Sequence, residues 1–137
     1  MVIWLGAGPG CQRLWSPASP QASGARCLMG PAAYRVAGLA RTLSDLGHTV
    51  EDRGDVAPTT PRELTCANPA VHHLSETLGW TREIARAGRD ACAAGLPIFL
   101  GGDHSLSLGS VAGVAAHAKA QGRPLFVLWL DAHTDIH

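Results

Sequence analysis

Short apolar runs alternate along this chain with longer stretches in which apolar residues recur every three or four positions. Val2–Ala7 ("VIWLGA") is an apolar run closed by glycines and reads as a first strand. From Gly8 to Cys27 the chain is rich in Gly, Pro, Ser and Ala, which is loop chemistry. Gly30–Gly47 then carries Val36, Leu39, Leu43 and Leu46 at helical steps. This predicts one helix with a single apolar face, Pro31 in its first turn and Gly47 as its terminating residue. "HTVEDRGD" (His48–Asp55) reads as a second strand and its exit, followed by a proline-bearing loop to His73. Ser75–Gly95 is a second helix with Ser75 as N-cap and Gly95 as its stop. A third strand, Ile98–Leu100, breaks at Gly101 and Gly102, and the small-residue-rich Leu106–Gly122 is a third, closely packed helix. The last segment, Leu125–His137 ("LFVLWLDAHTDIH"), reads as a fourth strand and its exit.

The order β-α-β-α-β-α-β with uninterrupted apolar strands predicts a mainly parallel sheet sandwiched between helical layers, a three-layer α/β/α arrangement. The 137 residues have the size of one domain, and with 46 % apolar and 16 % charged residues they exclude intrinsic disorder. Zero net charge removes electrostatic support for nucleic-acid or anionic-membrane binding. No apolar run is long enough to span a bilayer, and "MVIWLGAG" lacks the basic start of a signal peptide. A cytoplasmic protein is expected, and without a secretory signal Cys11, Cys27, Cys66 and Cys92 should stay reduced; none forms a C-x-x-C pair. "GAGPGC" is one glycine short of a dinucleotide fingerprint, because Cys11 stands where the third glycine belongs.

In an open parallel sheet, ligands bind beyond the carboxyl ends of the strands. Two expected strands end there in polar clusters: "GGDHS" (Gly101–Ser105) and "DAHTDIH" (Asp131–His137). An extended chain sends alternate side chains to one side, so Asp131, His133 and Asp135 share a side if the strand conformation persists. Carboxylates and imidazoles gathered in this way are metal-ligand chemistry, and without a cation their clustering would be costly. The glycines before Asp103 allow a tight turn that brings His104 to the neighbouring strand's exit. Asp103 reads as a supporting residue and not a ligand. His48, His72, His73 and His117 read as surface or helix-boundary residues.

"LGGDHSLSLGSVAGVA" followed by "LFVLWLDAHTDIH" resembles the ureohydrolase family, which contains arginase, agmatinase and formimidoylglutamase. "MGPAAYRVAGLARTLSDLGHTVEDRGDV" is more similar to the start of arginases than of agmatinases, so the resemblance runs from about Met29 to His137. It implies two Mn²⁺ ions that activate a shared water, hydrolysis of L-arginine to L-ornithine and urea, and a trimeric or hexameric assembly. Carried over by position, His104 and Asp135 match ligands of one ion, Asp131 a carboxylate bridging both and His133 a ligand of the other. His137 stands where many arginases have an asparagine that helps hold the substrate's carboxylate. Residues 1–26 depart from the family's usual glycine- and arginine-bearing loop.

Two dications carry more charge than Asp131 and Asp135 offset, and need more donors than these residues supply. The later Asp-x-Asp pair and the downstream proton-transfer histidine implied by the family have no counterpart here. The expectation is therefore that residues 1–137 are the amino-terminal part of a single arginase-like domain, incomplete in fold and without a certain catalytic residue. Such a segment would bind manganese weakly or not at all. Three other readings remain open: a hydrolase of agmatine or formiminoglutamate, a non-catalytic remnant, or a metallophosphoesterase. The last would place D-x-H early in the chain and G-D later, the reverse of the order seen.

Overall fold

A computed structural model describes residues 2–7, 24–58, 64–68, 74–101 and 104–131. Among the described residues, three strands form the sheet: β1 (Val2–Ala7), β2 (Val50–Val56) and β3 (Leu96–Leu100). They lie in the order β2-β1-β3, and β1 pairs in parallel with both neighbours. Four helices connect and follow them: α1 (Gly24–Val36), α2 (Leu39–Asp45), α3 (Leu74–Ala94) and α4 (Leu106–Ala120). The chain steps from β1 to β2 in one direction and from β2 past β1 to β3 in the other. With right-handed crossovers, those opposite steps put the connecting helices on opposite faces. The order also reverses between β1 and β3, and the crevice at such a switch point is where open α/β sheets bind ligands. The chain emerging from β3 there carries the "GGDHS" cluster.

Among the residues whose burial is described, the core lies on α3. Trp80, Ile84, Gly88 and Ala91 are buried at four- and three-residue steps along one helical face. Val56 of β2 and Phe99 of β3 pack against that face, and Leu106 at the start of α4 joins them over Trp80 and Ile84. The glycines on these helices set the spacing. A Cβ at Gly109 would stand 2.7 Å from the Ile84 Cβ and 2.8 Å from the Thr81 carbonyl oxygen. One at Gly113 would overlap the backbone of Ala85. The α3–α4 contact is therefore backbone to backbone, as expected from the small-residue content of α4.

β2 owes its shape to a bulge. Two steps along β1, Trp4 to Gly6, face three along β2, Asp52 to Asp55, and the extra residue is accommodated by Gly54 at φ 73°. In a regular strand, residues three apart point to opposite faces. The additional residue reverses that parity, so Asp52 and Asp55 both meet Arg35 of α1. Arg35 donates through Nε (2.7 Å) and Nη2 (3.1 Å) to the two Asp52 oxygens, and through Nη1 (2.7 Å) to Asp55. The Gly54 N–H also donates to Asp52 at 2.8 Å. The Arg35 hydrogen bonds hold the Asp52 carboxyl below its ordinary pKa against a smaller opposing effect of burial, and the two aspartates raise that of Arg35.

Several expectations need correction. The predicted single helix over Gly30–Gly47 is two helices, α1 and α2, separated at Ala37–Gly38, where Gly38 takes φ 82°. The break divides the predicted apolar face: Leu39 and Leu43 are half-buried, while Val36 and Leu46 are exposed. α1 begins at Gly24, so Pro31 lies inside it; the ring is fully buried, and that burial offsets the missing backbone donor. Gly47 does close α2, with its N–H on Ser44 and that of His48 on Leu43. Ser75 sits within the first turn of α3 and accepts the Leu64 N–H at 2.7 Å; it is not the N-cap. No strand is formed by Leu125–Leu130 among the described residues, because no neighbouring strand supplies a ladder there.

Two outcomes follow from this packing. Gly113→Ala gains helix propensity of about 1 kcal/mol but must push α4 from the Ala85 backbone, so a net loss of roughly 1–3 kcal/mol is expected in urea denaturation. The lowered Asp52 pKa means that its pairing stabilises the fold above the unfolded value of about 4, and that this is lost as pH falls through the lower folded value. The difference in urea midpoint between the parent and Asp52→Asn should be constant from pH 7 to about 5 and shrink below that.

Candidate metal centre

His104 leaves the sheet at the carboxyl end of β3. Gly101 fits closely under α4: a Cβ there would lie 2.5 Å from the Leu106 Cδ2, so a side chain would force that of Leu106 to shift. The backbone of His104 is then fixed by that helix. Its carbonyl accepts the Ser107 N–H at 3.0 Å and also the Ser107 hydroxyl. From this point α4 runs 15 residues, about 22 Å. The chain reverses at Gln121–Gly122, and the next eight residues can reach back about 26 Å if extended. Outward and return lengths match, and Asp131 arrives beside His104.

The return segment behaves as an extended chain although it pairs with no described strand. Phe126, Leu128 and Leu130 are 88 %, 83 % and 87 % exposed, whereas Leu125, Val127 and Trp129 are 39 %, 53 % and 49 % exposed. A period of two in burial is the mark of strand-like alternation. Asp131 continues the inward row. Its side chain is 19 % exposed even though the residue as a whole is not covered.

His104 Nδ1 lies 3.0 Å from Asp131 Oδ2. The imidazole also rests against the Trp129 indole, with ring centroids 5.0 Å apart and planes at 41°. At 3.0 Å the His104 and Asp131 side chains are within hydrogen-bond or ion-pair reach of each other. Imidazole nitrogen beside carboxylate oxygen suits a divalent first-row metal. Residues present therefore fit the group that the sequence implies. His133, Asp135, His137 and Asp103 lie outside the described residues. Among those described, no set of three or more His, Cys, Asp or Glu residues gathers around one point.

The profile of the arginase family matches residues 17–137. The chain belongs to the arginase family. It is 49 % identical over 128 residues to an arginase of Agrobacterium fabrum, covering 93 % of this chain and 40 % of that protein. An arginase of Brucella melitensis is 44 % identical over 127 residues, covering 93 % and 42 %. The crystal structure of arginase from Bacillus caldovelox superposes with a TM-score of 0.63 at 28 % identity, over 85 % of this chain and 36 % of that one. The chain thus spans about two fifths of the length of the curated relatives it matches. Its fold is accordingly an arginase-like α/β fold, present in part.

Other features of this arginase-family chain are quieter. A concavity of about 270 Å³ opens between the end of β2 and α3, lined in part by Arg53, Glu83, Arg86 and Asp90. Its charges satisfy one another: Arg86 pairs with Glu83 at 3.0 Å and Asp90 at 3.6 Å, and Arg53 with Glu51 at 3.1 Å. Cys66 and Cys92 are free thiols, and burial pushes the Cys92 thiol upward, away from the reactive thiolate. His48 is exposed beyond α2 and His117 sits half-buried in the last turn of α4; His72 and His73 lie outside the described residues. Among the described residues no helix is long and apolar enough to cross a membrane. Sequence reasoning did not single out Trp129. The signal was its place two residues before Asp131, on the same side of the segment.

Proposed function

We infer that His104, Asp131, His133 and Asp135 are manganese ligands of a two-ion centre, and that the complete protein hydrolyses L-arginine to L-ornithine and urea. The observation that carries this reading is the 3.0 Å approach of His104 Nδ1, at the exit of β3, to Asp131 Oδ2, at the end of the return segment that follows α4. Family membership and the arginases among its relatives support arginine over agmatine or formiminoglutamate as substrate.

Each residue has a distinct task. His104 and His133 bind as neutral imidazoles and add no charge. Asp131 and Asp135 would help hold the ions and would bring the negative charge that divalent cations require. When bound, the ions would supply the Lewis acidity that lowers the pKa of a shared water, making hydroxide available near neutral pH. His137 can donate to the substrate's α-carboxylate as asparagine does in many arginases. Residues 1–137 contribute about half of the donors such a pair of ions needs.

The 137-residue chain is therefore expected to bind Mn²⁺ weakly in isothermal titration, to lose that binding in Asp131→Asn, and to release no urea. The complete protein should release urea from arginine well above agmatine and formiminoglutamate. Robust urea release by residues 1–137 alone would contradict the half-site assignment, and a preference for agmatine would contradict the substrate.

A further inference from the structure

We propose that Trp129 is a positioning residue for the His104 imidazole, holding the ring so that Nδ1 points at the cation site beside Asp131. This rests on the reading of His104 as a metal ligand. The backbone of His104 is pinned by the first turn of α4, but its side chain is 51 % exposed and has two rotatable bonds to order. Contacts with Asp131 and Trp129 bear on it. Asp131 meets Nδ1 at 3.0 Å and sets where that edge points. Trp129 meets the ring at 5.0 Å between centroids, tilted by 41°, and sets the plane in which it lies. A plane and a direction together define the orientation of an imidazole.

Both contacts come from one piece of chain. Trp129 and Asp131 are two residues apart on the inward row of the alternating segment, so a shift that moved one would move the other. An indole suits this task because it offers a flat face and no lone pair that could compete for the cation. It also keeps water from one side of a half-exposed ring. Aromatic pairs of this kind typically change an equilibrium by about two- to tenfold. That is the size of effect expected on metal affinity, with no loss of fold.

The test uses the isotopically labelled 137-residue chain and its Trp129→Leu, Trp129→Phe, His104→Ala and Asp131→Asn variants. Without metal, NMR reads the contact directly, through cross-relaxation between the His104 and residue 129 rings and the ring-current shift of the His104 protons. With Mn²⁺, paramagnetic broadening of the His104 signals measures even weak binding. Trp129→Leu should lose the ring-current shift and weaken manganese binding by about two- to tenfold, while Trp129→Phe, which keeps an aromatic face, retains most of both. If Trp129→Leu matches the parent in ring shift and affinity, the positioning role is overturned. The same holds if Trp129→Phe loses as much affinity as Trp129→Leu while helical circular dichroism is unchanged. If instead His104→Ala and Asp131→Asn bind manganese as tightly as the parent, the ligand reading fails. The positioning role falls with it, and the metal-free ring shift in Trp129→Leu tells that failure apart from loss of the ring contact itself.

Discussion

α4 lies against α3 with nothing larger than hydrogen on two of its residues at the contact, and the geometry of the candidate centre descends from that closeness. Gly109 and Gly113 let the backbone of α4 settle on Thr81, Ile84 and Ala85. The direction of α4 is thereby fixed relative to the sheet that α3 covers. One end of the helix holds His104 by its carbonyl, and the other launches the return that ends at Asp131. A rod of set length and direction, with a return of matching reach, is how residues 27 positions apart in sequence become neighbours. A bulkier residue in α4 would tilt the rod and move both ends at once.

A second anchor works at the opposite edge of the described sheet. The bulge at Gly54 turns Asp55 to the side of Asp52, and Arg35 grips both. Arginine is suited to this because its rigid fork matches one carboxylate with two donors and leaves a third for the next. Partial exposure limits what each bond contributes to stability. Its structural effect is to join α1 to β2, on either side of the α2 connection. The buried core of Trp80, Ile84 and Ala91 sits in α3, so these polar ties and the glycine contacts share in fixing where the elements lie.

Much of this arrangement could be read from periodicity. The strands at Val2–Ala7 and around Val50–Val56, the long third helix and α4 all appear within a few residues of their expected limits. Parallel pairing followed from alternation of strands and helices; His104 does meet Asp131, although the segment before Asp131 forms no strand among the described residues. What escaped was tertiary in origin. The break at Gly38 divides a pattern that is locally good helix, and Pro31 looked like a helix start because burial inside α1 leaves no local trace. Ser75 has the chemistry of a cap but is recruited by Leu64. The strand expected at Leu125–Leu130 shows the alternation of one but, among the described residues, no neighbouring strand to complete it, since a ladder needs two strands and a local pattern supplies one. The Arg35 grip had a faint signal, a glycine between aspartates in a strand.

The account turns on whether the His104–Asp131 approach is a cation site. Anomalous diffraction from crystals grown with manganese measures this directly. The account predicts an anomalous peak within bonding distance of both His104 Nδ1 and Asp131 Oδ2, on the side of the sheet where the strands end. A peak elsewhere on the molecule, with the two side chains turned apart and no density between them, would contradict it.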